Sequence, residues 1–467
     1  MTGAAVTSAT PLPAVDKVGH AALSPLRIIA AGARLGPAPP PRAAPSAVDA
    51  GFAAIAADEA QILADMARLL ACDTCFPPGA GYDDFADLLQ PTLEAMGFAV
   101  RRVQVPEALW AAPGAHGSRT NVIARRPGPQ PVCSLYFHVD TVPPGDGWTR
   151  DPLACTVAGR ALYGRGAADM KGTIAAVLAA LRAASAVGLP LAYLPALLLC
   201  TDEEGGLYPG IRYLAEQGLI EGHLLSFNGG AMPRIWAGCF GSLDLQVSVI
   251  GRSAHSGEQD GGGVNAIEAA LPLLTALAAL KTRVEARASA IPSPIPDRPL
   301  HARLNVTAAH GGEKGSSLPG RFELLINRRY LPEEKAETVR AELEQTIATA
   351  LADSPALGFE TRLLGHLAPV TDPTGPHWPR WQKALSAGFG FADSAFRSWG
   401  ASSSSDMGWV QQAGIQEILL GGLGRSDRRI HAADEFTTMD DIAALARSVL
   451  AYLSADFAAS LIPETDP

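Results

Sequence analysis

The sequence predicts an α/β protein with a mixed, mostly parallel sheet and flanking helices, interrupted by a smaller inserted α+β domain. Its 467 residues are too many for a single small module. Apolar residues make up 48% of the chain and charged residues 18%, which is enough to bury a large core. Short apolar runs alternate with helical segments and end in polar residues, as expected for parallel strands joined by helices.

Charge and composition exclude several classes of partner. The 37 Lys and Arg against 47 Asp and Glu give a net charge of −10. We therefore expect neither nucleic acid nor an anionic membrane as a partner. The best apolar stretch, residues 189–200, is shorter than the ~18–20 residues of a membrane helix. Six scattered cysteines fit a reducing compartment, so a cytoplasmic location is expected.

The elements of the larger domain can be followed from residue 51, after an Ala/Pro-rich tail predicted to be flexible over residues 1–50. Two of its predicted strands, residues 133–139 and 193–200, are continuous apolar runs that end in ionisable residues. The first ends in His138-Val139-Asp140 and the second in Thr201-Asp202-Glu203-Glu204. The carboxyl ends of parallel strands share one edge of a sheet, so these side chains are predicted to lie together. The other predicted strands are residues 98–105 and 121–126, and the predicted helices are residues 51–71, 82–97 and 172–184.

The pattern changes near residue 242. Strands are predicted at residues 243–250, 301–308, 321–330 and 359–364, and helices at 264–288 and 332–352. The order strand–helix–strand–strand–helix–strand forms a compact unit by itself. We therefore predict one catalytic domain made of residues 51–241 and 367–467, with residues 242–366 as an inserted domain.

Two short motifs in the first half are candidates for metal binding. His138 and Asp140 lie two residues apart on a strand and point the same way. This arrangement suits a metal-binding imidazole oriented by a carboxylate, although a surface pair is the ordinary alternative. Asp169 lies in a Gly-rich turn directly before a helix, where it could bind a metal or simply cap the helix.

The acidic run and a distant histidine complete the candidate site. Adjacent acids raise one another's pKa unless a cation neutralises them. One of Glu203 and Glu204 could bind a metal while the other takes a proton from water. His431 follows a Gly-rich turn that ends at Gly424, and alone it would more often be structural. The ordered set predicts a metallohydrolase.

Five stretches together resemble a known family. They are FHVDTVPPGDGW, LYGRGAADMKG, TDEEGG, GRSAHSG followed by NAIEAA, and HAADEF. In this order they resemble the co-catalytic zinc amidohydrolases and peptidases that include acetylornithine deacetylase, succinyl-diaminopimelate desuccinylase, aminoacylase and carboxypeptidase G. The resemblance runs from about residue 71 to residue 453. It implies a zinc exopeptidase-like fold, with a ferredoxin-like inserted domain through which the chain forms a homodimer.

The resemblance also implies roles for individual residues. Glu203 would be the general base, Asp140 would orient His138, and Asp169 would bridge two metal ions. His255 would stabilise the oxyanion across the dimer interface, and Arg329 would hold the substrate carboxylate. The remaining roles are metal binding for His138, Glu204 and His431, and substrate contact for Asn265 and Gly424. The implied reaction is hydrolysis of the amide bond of an N-acyl amino acid or a small peptide-like substrate by a metal-activated water.

The chain departs from the family where a further acidic metal ligand is expected. That stretch contains Asn228 between Phe227 and Gly229, and an amide oxygen is a poor substitute for a carboxylate on zinc. We predict one firm zinc site, with cobalt or manganese as possible substitutes, and a second site that is weak or absent. Asn327 and Ser316 also replace the usual family residues. Two alternatives stay open: an altered enzyme that forms or transfers an amide, and a non-catalytic binding protein on the same fold.

Overall fold

The computed structural model describes residues 46–205, 207–257 and 262–459. Most of the tail predicted for residues 1–50 lies outside the described residues. The first helix starts at Ala47, before the predicted end of that tail, because Ser46 caps it. The Ser46 hydroxyl accepts the Asp49 N–H at 3.1 Å, and the Asp49 carboxylate accepts the Ser46 N–H in return.

The first part of the catalytic domain contains the strands and helices predicted from the apolar runs. The predicted helix over residues 51–71 is divided at Asp58 into two helices. In chain order the elements are α1 (Ala47–Ala57), α2 (Glu59–Ala71), α3 (Tyr82–Ala95), β1 (Ala99–Gln104), α4 (Glu107–Trp110), β2 (Thr120–Arg125), β3 (Val132–His138), β4 (Thr156–Ala158), β5 (Ala161–Tyr163), α5 (Lys171–Ala186), β6 (Leu194–Cys200), α6 (Gly210–Glu216), β7 (His223–Gly230) and β8 (Arg234–Cys239).

The inserted domain has the predicted order of elements, with its main helix divided at Ala270. Its four long strands form an antiparallel sheet in the order β11-β13-β9-β14. This is the strand order of a ferredoxin-like fold. The elements are β9 (Gly241–Ile250), β10 (Ala254–His255), α7 (Ala266–Ala269), α8 (Leu271–Glu285), β11 (Arg303–His310), β12 (Ser317–Leu318), β13 (Arg321–Tyr330), α9 (Ala336–Leu351) and β14 (Gly358–Leu367).

Apolar side chains at helical spacing hold α8 and α9 against one face of this sheet. In α9 the buried residues recur every fourth position: Val339, Leu343, Ile347 and Leu351. On β9 the apolar residues of the core alternate, and Leu243, Leu245, Val247 and Val249 point toward the helices. The residues between them therefore point to the opposite, open face of the sheet.

The chain then returns to the catalytic domain. The elements are β15 (Val370–Thr371), α10 (Trp378–Phe389), a 3₁₀ turn (Asp393–Ala395), β16 (Arg397–Ala401), α11 (Met407–Gln412), β17 (Ile418–Gly424), β18 (Phe436–Thr438), α12 (Met439–Leu453) and α13 (Asp456–Ala459). The central sheet has the order β1-β2-β6-β3-β7-β17. Strands β6, β3, β7 and β17 run parallel to one another. At one edge of the sheet, β2 pairs antiparallel with both β6 and β1. The mixed, mostly parallel sheet is confirmed.

None of the helices in the described part of the chain combines the length and apolar character needed to cross a membrane.

Candidate metal centre and substrate cleft

Two neighbouring parallel strands deliver the first site residues to one edge of the central sheet. His138 is the last residue of β3 and lies opposite Cys200, the last residue of β6. Glu203 and Glu204 follow three and four residues after Cys200. The strand ends therefore bring the histidine and the two acids together, as the sequence predicted.

Donor atoms for a metal ion converge at this edge. One ligand atom from each of His138, Asp169 and Glu204 lies within 4.8 Å of the other two. His138 Nδ1 lies 3.0 Å from the backbone oxygen of Asp140, and Nε2 lies 3.1 Å from Asp169 Oδ1. The contact at Nδ1 fixes the ring so that Nε2 points toward the carboxylates.

His431 reaches the same carboxylates from the opposite side. Its Nε2 lies 3.0 Å from Glu204 Oε2 and 3.5 Å from Asp169 Oδ2. Asp169 thus lies between the two imidazoles, as a bridging ligand would. His431 has a φ of 63°, a left-handed backbone conformation that is uncommon outside glycine and often occurs at functional sites.

The charges at the centre favour a cation. Burial opposes ionisation of Asp169, but hydrogen bonds to His138 and His431 hold its pKa below the usual value. Hydrogen bonds to Asp169 and Glu204 raise the pKa of His431 to about 10. Imidazole nitrogens and carboxylate oxygens are the ligand types of zinc hydrolases, so the residues present fit a divalent ion. The buried Asp140 Oδ1, which has no hydrogen-bond partner among the described residues, adds to this negative environment.

Asp140 contacts both His138 and the loop that carries Glu203 and Glu204. Its Oδ2 accepts the Glu204 N–H at 2.8 Å, whereas its Oδ1 lies 3.7 Å from His138 Nδ1. The hydrogen-bond distance to His138 comes from the Asp140 backbone oxygen rather than its carboxylate. The residue therefore connects β3 to the loop that carries Glu203 and Glu204.

Glu203, the predicted general base, is held by the residue that departs from the family. Asn228 Nδ2 donates a hydrogen bond to Glu203 Oε1 at 2.8 Å. Both residues line a cavity with Asp169 and Glu204. Burial raises the pKa of Glu203, which favours a carboxylate able to accept a proton.

A buried carboxylate that sequence reasoning missed connects the two loops carrying Asp169 and His431. Glu435 accepts the backbone N–H groups of Gly166, Ala168 and Asp169 at 3.1, 2.9 and 3.1 Å. It also accepts a hydrogen bond from Arg165 Nη1 at 2.6 Å. The available signal was the position of Glu435 in the HAADEF stretch, four residues after His431.

A second buried network precedes the acidic pair. Asp202 has a φ of 62° and pairs with Arg119 Nε at 2.7 Å. The Tyr82 hydroxyl donates to its other oxygen, also at 2.7 Å. These bonds fix the backbone at the point where the loop turns from β6 toward Glu203.

A cleft of about 370 Å³ lies between the metal-binding residues and the inserted domain. Glu203, Glu204 and His431 line it from the catalytic side, and Arg329 and Asp244 line it from the sheet of the inserted domain. Arg329 Nη1 donates to Ser404 Oγ at 2.8 Å. The structure therefore brings the predicted carboxylate-binding arginine to the candidate site.

Three predicted residues lie elsewhere within the described chain. His255, in β10, is exposed, and its Nδ1 accepts the Gly257 N–H at 3.1 Å. Asn265 caps α7, and its Oδ1 accepts the Ile267 N–H at 3.1 Å. Gly424 ends β17, and its oxygen accepts the Ala231 N–H at 2.9 Å. None of the three lines this cleft, so their roles stay predictions.

Comparisons with known proteins identify the family of the chain. The model of peptidase family M20/M25/M40 matches residues 134–455. A succinyl-diaminopimelate desuccinylase of Xanthomonas oryzae pv. oryzae (strain MAFF 311018) is 30% identical over 371 residues, covering 77% of this chain and 89% of that protein.

Solved structures of two dipeptidases share the fold. The Saccharomyces cerevisiae dipeptidase Dug1p has a TM-score of 0.72 at 16% identity, covering 87% of this chain and 97% of that one. Human carnosine dipeptidase 1 has a TM-score of 0.69 at 15% identity, covering 87% of this chain and 98% of that one. The family match spans most of the sequence, so this chain belongs to peptidase family M20/M25/M40.

Proposed function

We propose that the protein hydrolyses the amide bond of an N-acyl amino acid or a small peptide-like substrate, with Glu203 as the general base. Family membership assigns the chain to the amide-bond hydrolases. The observation that carries the specific proposal is the cleft in which Glu203 faces the metal-ligand cluster and Arg329. A free carboxylate on the substrate would match this guanidinium through paired hydrogen bonds.

The chain's own residues divide the chemistry. A bound divalent ion, held by His138, Asp169, Glu204 and His431, would polarise the scissile carbonyl and acidify the attacking water. Glu203 would accept the proton from that water and deliver it to the amide nitrogen as the C–N bond breaks. The products would be the free carboxylic acid and the free amine, so atoms and charge balance. Asn228 would keep the Glu203 carboxylate in place.

The number of metal ions is part of the proposal. We infer one firm zinc ion, with cobalt or manganese able to replace it, and a weak or absent second ion. The support is the Asn228 side chain, which brings no negative charge and is hydrogen-bonded to Glu203. Metal analysis of the purified protein tests this, and two tightly held zinc ions per chain would refute it.

We also propose a cytoplasmic homodimer. The six cysteines are all free thiols, which agrees with a reducing compartment. His255 and Asn265 lie on the inserted domain and do not line the cleft of their own chain, so they could serve the cleft of a second copy.

Subunit complementation tests the role across the interface. A His255→Ala chain keeps Glu203, and a Glu203→Gln chain keeps His255. Mixing the two inactive variants should restore one working site in each mixed dimer, as measured by hydrolysis after subunit exchange. Activity that does not recover in proven mixed dimers, or a fully active monomer, would contradict this part of the proposal.

The hydrolysis itself is tested with N-acetyl amino acids, with and without added zinc. Glu203→Gln should lower kcat by at least about 100-fold, in line with the loss of a general base. The variant should retain its metal, since Glu203 is not among the proposed ligands. Unchanged turnover in Glu203→Gln would show that the mechanism is wrong.

A further inference from the structure

One face of the inserted sheet places two opposite charges side by side at the cleft. In the β9–β13 register, Asp244 lies opposite Asn327 and Ser242 lies opposite Arg329. Alternate residues of a strand share a face, so Asp244 and Arg329 are diagonal neighbours on the open face of the sheet. Diagonal neighbours lie roughly 7–8 Å apart, within reach of long side chains and of one small ligand.

Charged side chains at one end of this open face form ion pairs, whereas the two that line the cleft do not. At the far end, Arg321 contacts Glu323 at 2.9 Å and Glu360 at 3.1 Å. At the cleft, neither Asp244 nor Arg329 forms an ion pair with any residue that the structure describes. Asp244 Oδ1 accepts a hydrogen bond from Asn327 Nδ2 at 2.7 Å, and Arg329 donates to the Ser404 hydroxyl.

Arg328, the residue before Arg329 on β13, does form an ion pair, on the side of the sheet that packs against the helices. Arg328 points to the buried side of the sheet and contacts Glu334 at 2.7 Å. Arg329 and Asp244 are half-buried instead and line a cleft of about 370 Å³. Half-buried charges without a charged partner are best satisfied by a ligand that carries both complementary charges.

We propose that Asp244 is a specificity-determining residue that binds a cationic group on the substrate, next to the carboxylate held by Arg329. This inference rests on the proposed function for the orientation of the substrate. Both charges lie on one strand pair in the lining of the cleft that also contains Glu203 and His431. In the proposed orientation, both would contact the amine-product part of the substrate. The preferred class is therefore N-acyl amino acids whose side chain carries an amine or a guanidinium.

The test compares two substrates that differ only in the terminal ammonium group of the side chain. The zinc-loaded full-length enzyme is assayed with Nα-acetyl-L-lysine and with Nα-acetyl-L-norleucine, whose side chain lacks the ammonium group. We expect kcat/KM to favour the lysine substrate by about 10- to 100-fold, the usual range for a hydrogen bond to a charged group. Asp244→Asn should bring the ratio close to one.

A matched control separates a local contact from general surface charge. Glu360→Gln removes a carboxylate from the same sheet face, but one that is paired with Arg321, and it should keep the wild-type ratio. Asp244→Lys should instead shift the preference toward Nα-acetyl-L-glutamate. Equal kcat/KM for both substrates in the wild-type enzyme, or a preference that survives Asp244→Asn, would overturn the inference.

A binding measurement distinguishes failure of this inference from failure of the proposed function. Calorimetry of the wild-type protein with L-lysine and L-norleucine reports recognition without any hydrolysis. Tighter binding of lysine that is lost in Asp244→Asn supports the inference even if no amide is cleaved, in which case the proposed function fails alone. Equal binding of the two amino acids overturns the inference even if both amides are hydrolysed.

Discussion

Replacing Glu435 should destabilise the protein and its metal site together. The Glu435 carboxylate accepts hydrogen bonds from three backbone N–H groups, two of them buried, and from the guanidinium of Arg165, whose side chain is 2% exposed. Leaving a buried donor unsatisfied costs about 1–3 kcal/mol. Removing one partner of a buried ion pair costs about 3–5 kcal/mol. These contributions overlap, so we expect Glu435→Ala to lower the free energy of unfolding by about 3–5 kcal/mol, a large share of a typical total.

Urea unfolding of the metal-free protein, followed by circular dichroism, measures this loss. Asp434→Ala is the matched control, because the Asp434 carboxylate accepts hydrogen bonds from Thr149 and makes none to the Asp169 loop. Its loss should be smaller, about 1–2 kcal/mol. Glu435→Gln should also weaken zinc binding by about 10-fold or more, as changes behind metal ligands do. A Glu435→Ala loss below about 1 kcal/mol, or no larger than that of Asp434→Ala, would refute the reasoning.

Three further predictions concern pH, metal content and substrate affinity. Burial, followed by the neighbouring His377 and Arg380, lowers the pKa of His223 to about 3, so the folded state keeps this ring neutral while the unfolded chain takes a proton below about pH 6.5. The stability that the neutral His223 ring contributes is present above pH 6.5 and is lost on acidification, by about 2 kcal/mol at pH 5. His223→Gln should therefore flatten the dependence of the free energy of unfolding on pH, measured by urea unfolding. The same pH dependence in the variant and the wild-type protein would contradict this. Asn228→Asp should raise the zinc content, measured by metal analysis, toward two ions per chain. An unchanged zinc content would show that the missing negative charge at residue 228 is not the cause of the weak second site. Arg329→Lys should raise KM about 10-fold with a smaller effect on kcat, and an unchanged KM for a carboxylate substrate would exclude the predicted contact.

The sequence was sufficient for features that depend on local pattern. Continuous apolar runs predicted β3 and β6, and their last residues were enough to place His138, Glu203 and Glu204 at one edge. The strand predicted over residues 321–330 likewise has the bounds of β13. The predicted helices over residues 51–71 and 264–288 each divide in two, at Asp58 and at Ala270, and the apolar pattern of the sequence did not show these one-residue breaks.

Features that depend on long-range contacts could not be predicted. Glu435 meets the Asp169 loop across more than 260 positions of sequence. The HAADEF stretch marks Glu435 as a candidate residue but does not show which loop it contacts. Asp244 and Arg329 become neighbours only through the register of β9 and β13, whose paired residues lie about 85 positions apart in sequence. A single sequence does not show that register. The hydrogen bond from Asn228 to Glu203 is of the same kind: the substitution was visible, but its new partner was not.

The inserted domain begins and ends on neighbouring strands. Ser242 near the start of β9 lies opposite Leu367 at the end of β14, so the points of entry and exit are roughly 5 Å apart. A tight turn of a few residues would be enough to rejoin the flanking chain if the insertion were cut out. All four proposed metal ligands lie outside the inserted domain, whereas Asp244 and Arg329, the two charges proposed to bind the substrate, lie inside it. An exchange of the inserted domain should therefore change the groups proposed to bind the substrate and leave the proposed metal ligands in place.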